Sequence, residues 1–274
     1  MTKHVEMPES QLRGFERLAV PLVEQLNRSH ALRQATHLVQ RLPVGAVIHG
    51  VVNNLVEPHG LEELAKAHIP SGLLIVSNQR SFFDFYFLAT WITFHTRHCK
   101  ELQFPVRSDF FYTNPLGLAV NLLVAGGAMW PPVFRDDRRR TLNPIGVEQV
   151  ARAFGPGVVT GIHPEGKRSK LADCYSFLPL RPGLGQLLEF VDPEVRIVPA
   201  YVAGTSSSVL REAGRNFKPA GRRGEPIRLW YGAVRSVGSI LAEASDAQLR
   251  TDLAFAGVRE LAERDRARYG SVGR

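Results

Sequence analysis

The chain has 274 residues, of which 44% are hydrophobic and 22% charged, with 34 Lys and Arg set against 26 Asp and Glu for a formal charge of +8. This is globular composition, sufficient for one large domain with a full core or for a domain with an extension, and it excludes a disordered chain. The positive balance suits anionic partners, such as phospholipid headgroups, a phosphorylated thioester carrier or nucleic acid, and it serves solubility equally well.

In chain order, residues 9–42 carry apolar side chains at three- and four-residue steps. Leu12, Phe15, Leu18, Ala19, Leu22, Val23 and Leu26 predict one helix with a kink point at Pro21, and Leu32, Ala35, Leu38, Val39 and Leu42 predict a second. Two readings stand for this pair: a hairpin packed on the domain, or a basic amphipathic pair lying on anionic lipid. The division expected is residues 1–42 as the helical segment and 43–274 as one α/β domain. The branched residues at 51–56 predict a strand, Pro58-His59-Gly60 a turn, and 61–68 a short helix or loop.

A buried strand is expected at 73–76 and a helix from 85, joined by Ser77-Asn78-Gln79-Arg80-Ser81-Phe82-Phe83-Asp84. Residues 102–107 read as extended, 116–124 as a helix ended by Gly126-Gly127, and 129–134 as an edge strand limited by its prolines. The stretch 110–134 is long and free of charge, but Asn114-Pro115, Asn121, Gly126-Gly127 and Pro131-Pro132 interrupt it, so a buried or surface helix is expected there and not a span. A helix at 143–154, strands at 158–162, 197–202 and 228–231, a basic loop at 218–225 and a last helix at 246–268 complete the pattern. In that helix Leu249, Leu253, Ala256, Leu261 and Ala262 are expected to face inward. Strands alternating with helices predict a sheet flanked by helices, with the ligand cleft at strand ends.

Two cysteines, Cys99 and Cys174, make no disulfide framework and have no metal-ligand spacing, which suits a reducing cytoplasm. The first six residues hold no apolar core of the kind a secretory signal needs. His95 and His98 at helical spacing lack a third ligand set beyond Cys99 and Glu101, so no metal is expected. Gly161, Gly166 and Lys167 nearly imitate a phosphate-binding loop, but Arg168 stands where Ser or Thr would hold magnesium. No basic stripe with interleaved aromatics points to nucleic acid.

The segment Asn78, Ser81 and Asp84 resembles the Asn-His-x-Ser-x-x-Asp motif of the glycerolipid acyltransferases, with Gln79 at the histidine position. Three further blocks follow in the family's order. Pro115-Leu116-Gly117, Gly127-Ala128 and Phe134-Arg135 resemble the second, and His163-Pro164-Glu165-Gly166-Lys167-Arg168-Ser169 is similar to the third. Ile197-Val198-Pro199-Ala200 resembles the fourth, and Arg107 stands where the family often has lysine. The resemblance implies a mixed central sheet flanked by helices, preceded by the helical segment, and an acyl transfer from acyl-CoA or an acyl carrier protein to a hydroxyl, with no cofactor. It implies an anionic lipid acceptor such as a lysophospholipid, and a protein of the cytoplasm or the inner membrane face.

Acyl transfer needs a base, an orienter for the base and donors for the oxyanion. The resemblance gives the base to the motif histidine and the orienting role to Asp84. An amide has no pKa near neutrality, so Gln79 cannot be that base. Three accounts remain open: an enzyme arrested by Gln79, a different base such as His163, or a protein that binds acyl ligands without turnover. Arg135 and the loop Glu165, Gly166, Lys167 and Arg168 are implied to hold the acceptor's phosphate, with Asn78 and Ser81 lining the site. A solvated salt-bridge loop is the plain alternative for the cations, and for Arg138, Arg139 and Arg140 it is the reading preferred.

Overall fold

Five consecutive buried residues, Leu73–Ser77, form β2 at the middle of the sheet, with parallel neighbours on both sides. A strand covered on both faces has no polar side to alternate with, which is why Leu73, Leu74, Ile75 and Val76 read as an unbroken apolar run. The computed structural model describes residues 7–39 and 45–270.

Ahead of β2 come α1 (Glu16–Arg28), α2 (His30–Val39), α3 (Ala46–Val52), β1 (Val56–His59) and α4 (Leu61–Lys66). After it come α5 (Asp84–His95), β3 (Glu101–Gln103), β4 (Val106–Arg107), α6 (Ser108–Phe111), α7 (Pro115–Leu123), β5 (Pro132–Val133) and α8 (Asn143–Ala153). The rest of the chain gives β6 (Val158–Ile162), α9 (Gly183–Leu188), β7 (Arg196–Ala203), α10 (Val209–Asn216), β8 (Ile227–Tyr231), β9 (Arg235–Ser236), α11 (Val237–Glu243) and α12 (Ala247–Tyr269).

The main sheet runs β1-β8-β7-β2-β6-β3, with β9 pairing β7. β7 is antiparallel to β8 and β9, and the other pairs are parallel, so the sheet is mixed, as expected. On one face Leu73, Ile75, Val159, Val198 and Leu229 pack against Phe85, Leu88 and Ile92 of α5, with α3 and α4 alongside. On the other, Leu74, Val76, Ile197 and Tyr201 meet Val150 of α8, Leu184 and Leu188 of α9, and Phe255 and Val258 of α12. Gly161 lies on the α5 side, where a Cβ would stand 1.9 Å from Phe85 Cε2. The missing side chain is what lets the Phe85 ring lie against the strand.

A third apolar cluster joins α1 to the rest. Ala19, Val20 and Val23 are buried with Phe111, Tyr112, Met129, Trp130 and Phe134, while Leu18 and Leu22 of the same helix are exposed. Buried Glu16 takes an ion pair from Arg139 at 2.5 Å, and Gln149 donates to Glu24 at 3.0 Å. Among the described residues no helix is long and apolar enough to cross a membrane. The charge-free stretch at 110–134 is broken into α6, α7 and β5.

Four expectations need correction. The branched residues at 51–56 do not form a strand: Val51 and Val52 end α3, because Ile48, Val51 and Val52, with Leu55 just beyond the helix, lie together in the cluster that packs on α5. The strand starts at Val56 and includes Pro58, tolerated because β1 is an edge with β8 as its one neighbour. On α12 Leu261 and Ala262 face inward as expected, but the rest of the inward face is rotated. Ala254, Phe255, Val258, Leu261 and Ala262 are buried between Thr251 and Asp265, and Leu249 is exposed. Last, His98 lies beyond the end of α5, so His95 and His98 do not share a helix face. The second N-terminal helix ends at Val39, and Leu42 lies outside the described residues.

Candidate active site

β2 and β6 run side by side with Val76 opposite Ile162, which brings Ser77 and His163 together at their C-terminal ends. The chain leaving β2 turns directly into α5, and Asp84 is that helix's first residue. Asp84 is fully buried. Its Oδ2 accepts from the amides of Arg80 at 2.6 Å and Ser81 at 2.7 Å, and its Oδ1 accepts from Thr205 Oγ1 at 2.7 Å. Burial nonetheless outweighs these bonds and the Arg80 charge, and raises the carboxyl to about 6.

Asn78 and Ser81 spend their polar groups on the protein itself. Asn78 bonds both main-chain groups of Val202 at 2.9 Å, standing in for a strand residue, and Ser81 donates to Ser206 O at 2.8 Å while accepting from Phe83 N. Both are buried, so their geometry is that of a scaffold and not of ligand contacts. Gln79 is held through its backbone: its amide donates to Glu165 Oε2 at 3.0 Å, and its carbonyl accepts from Ser169 N at 2.7 Å. These two bonds join the motif turn to the loop after β6.

Glu165 is buried, and its other oxygen accepts from Leu178 N at 2.7 Å. Burial raises its pKa, against the pull of the Leu178 and Gln79 amides and the Arg80 charge. Gly166 turns with φ 65°, a conformation that favours glycine, and its carbonyl accepts from the Arg135 guanidinium. Arg135 has its pKa lowered by burial and by the charges of Arg107 and Arg181, with Asp109 opposing. Arg107, Arg135, Lys167, Arg168 and Arg181 are all exposed. The loop is therefore rimmed with cations, as an anionic ligand would require.

His163 Nδ1 lies 3.0 Å from Ser77 Oγ and 3.3 Å from Ser77 O. The ring is partly exposed by surface area yet closely surrounded by protein. Desolvation lowers its pKa to about 4, against bonds with the Ser77 and Asn78 backbone, so the imidazole is neutral at pH 7. Of the arginines after Arg135, Arg139 pairs with Glu16 and lies over the Phe134 ring, and Arg140 pairs with Asp137. Arg139 works in the fold, whereas the Arg140–Asp137 pair is exposed to solvent.

Three contributors escaped the sequence reading. Thr205 reaches Asp84 from beyond the fourth block. Arg181 is brought beside Gly166 by its amide bond to Pro164 O at 2.9 Å. Arg80 sends its guanidinium to Ser169 Oγ at 3.1 Å, Asp173 O at 3.3 Å and Leu171 O at 2.6 Å, pinning residues 169–173 to the motif turn. The same strap is anchored farther on by Tyr175, which donates to Asp265 Oδ2 at 3.0 Å. Asp265 also accepts from Arg228 Nε at 2.8 Å and Trp230 Nε1 at 2.7 Å.

The family model described as Acyltransferase matches residues 56–203, more than half of the chain. The chain belongs to this family. The matched span of this acyltransferase opens with β1, closes with β7 and contains the motif turn, the cationic loop and both strands that deliver them. Acyl transfer is accordingly its general chemistry. No curated protein matches the chain. Among the described residues of the acyltransferase, no group of three or more His, Cys, Asp or Glu is placed to hold a metal ion.

Proposed function

We propose that the chain moves an acyl group from a coenzyme A or carrier-protein thioester to a hydroxyl of an anionic glycerolipid, such as a lysophospholipid, and that Gln79 slows the base step. One observation carries this reading. The turn from Gln79 to Asp84 and the cationic loop at Gly166 are bonded together through Gln79, Glu165 and Ser169, so a thioester carbonyl and a phosphate-bearing alcohol have a common border at which to meet. Arg135, Lys167 and Arg168, with Arg107 and Arg181 beside them, supply the charge for the acceptor's phosphate. Glu165, with both oxygens taken by amides, holds the frame. Asp84 is the residue that would orient an imidazole at position 79.

A second reading is favoured by Gln79 itself: a protein of the same fold that binds acyl lipids or thioesters without turning them over. Thiol release from acyl-CoA and acyl carrier protein, with candidate acceptors, separates the two. A large gain in the Gln79→His form supports the slowed enzyme, whereas binding without turnover in both forms supports the silent one. Equal robust turnover in both, lost in His163→Ala, would transfer the base role to His163 and overturn the slowed base step.

A further inference from the structure

α10 is built inside out. Its polar residues Glu212 and Asn216 are 0% and 1% exposed, whereas Leu210 is 85% and the adjoining Phe217 77% exposed. The inward face is bonded throughout. Glu212 accepts from Ser206 N at 3.0 Å and from Arg215 at 2.7 Å, while Asn216 accepts from Asn54 N at 2.8 Å and donates to Gly50 O at 2.9 Å. The helix is thus tied down in an orientation that holds two large apolar side chains, two turns apart, out in solvent. Arg211, Lys218 and Arg222 stand exposed around them, and the acidic residues of segment 209–225 are Glu212, which is buried, and Glu225.

The same segment reaches the candidate site. Ser208 caps α10, Ser206 O accepts from Ser81, and Thr205 bonds Asp84, so the loop that starts the helix is also bonded to the motif turn. We infer that α10 seats the candidate site on an anionic lipid bilayer, with Leu210 and Phe217 entering the acyl boundary and Arg211, Lys218 and Arg222 meeting the headgroups. Charge complementarity selects this occupant. A second copy would bring the same cations to the face, and two protruding side chains fall well short of the ~1,000 Å² that a stable protein interface buries. The inference deepens the lipid-acceptor reading above and rests on it for its purpose, but vesicle binding is measured without turnover.

The test uses the full chain sedimented with phosphatidylcholine vesicles, with and without phosphatidylglycerol. The protein is expected to bind the anionic vesicles at least about tenfold more tightly, with salt weakening the preference. Leu210→Ser with Phe217→Ser should lower binding by about tenfold or more while leaving thiol release from soluble acyl-CoA unchanged. Replacing Arg211, Lys218 and Arg222 by Gln should erase the preference for anionic vesicles. The comparison pair Leu116→Ser with Leu123→Ser, on the exposed side of α7, should bind as the parent does. No vesicle binding by the parent, undiminished binding by the α10 variants, loss confined to the α7 pair, or a solution dimer that the α10 variants dissociate would each overturn the inference. Vesicle binding that behaves as expected in a protein that never releases thiol would instead sink the transfer reading and leave α10 as a lipid anchor.

Discussion

The amide of Gln79 donates to Oε2 of Glu165 across 3.0 Å, so the motif turn and the buried acid of the cationic loop are held to each other through the main chain. A side-chain replacement at 79 leaves that bond in place. The geometry of the turn is therefore separable from the chemistry of the residue that occupies it.

From this follows a kinetic expectation. Gln79→His should raise thiol release by ~10²–10⁴-fold, the usual contribution of a general base. The variant's rate should climb with pH through about 6.5 as the new imidazole loses its proton. Any residual turnover in the parent that depends on His163 should be flat across neutral pH, because that ring is already neutral above about 4. Paired pH–rate profiles check this, and a limb near neutrality in the parent would contradict it.

Asp84 should leave a mark on stability against pH. Its carboxyl is raised from 3.8 to about 6, so the folded state binds the proton more tightly than the unfolded state does. Stability from this group is full below the unfolded value and falls as pH rises through about 6, by about 3 kcal/mol in all. Asp84→Asn can keep the Arg80, Ser81 and Thr205 bonds through its oxygen and its amide nitrogen. Urea midpoints across this range should slope less in Asp84→Asn than in the parent, and parallel curves would refute the assignment.

Gly161→Ala should destabilise the fold by about 1–3 kcal/mol or more, since its Cβ would enter the Phe85 ring. Combining it with Phe85→Leu should recover part of the loss, as seen by thermal unfolding. Strictly additive losses would show that the two positions do not meet.

Arg228 and Asp265 are 5% and 0% exposed and directly paired, so Arg228→Met strands a buried carboxylate at a cost of about 3–5 kcal/mol. Chemical denaturation measures the loss. Proteolysis within residues 169–181 should also accelerate, because Tyr175 anchors that strap on the same carboxylate. An unchanged cleavage rate would break the link between α12 and the strap.

Much of the fold was legible in the sequence because the central strands are apolar without interruption and are closed by polar turns. β2, β6 and β7 fall where residues 73–76, 158–162 and 197–202 predict them. What escaped was information not carried by side-chain pattern. Only part of the inward face of α12 was legible, Leu261 and Ala262, because the face also includes Thr251 and Asp265, polar residues whose partners are remote: Thr251 accepts from Gly185 N, and Asp265 holds Arg228, Trp230 and Tyr175. Arg80 was invisible for a related reason, since two of its three acceptors are main-chain carbonyls with no signature of their own. At the site, the adjacency of the motif turn and the cationic loop is what the resemblance implies. The inward use of Asn78 and Ser81 was not, because a motif does not say which way its side chains turn.

The order of strands has a consequence for where the molecule can be cut. β1 belongs to the span matched by the family model, yet it reaches the sheet only by way of β8, which lies past residue 203. A truncation after β7 would therefore strip β1 of its ladder and open the flank of β7 that β8 now closes. The stretch by which relatives are recognised is thus no autonomous unit, and its own first strand depends on chain made long after it.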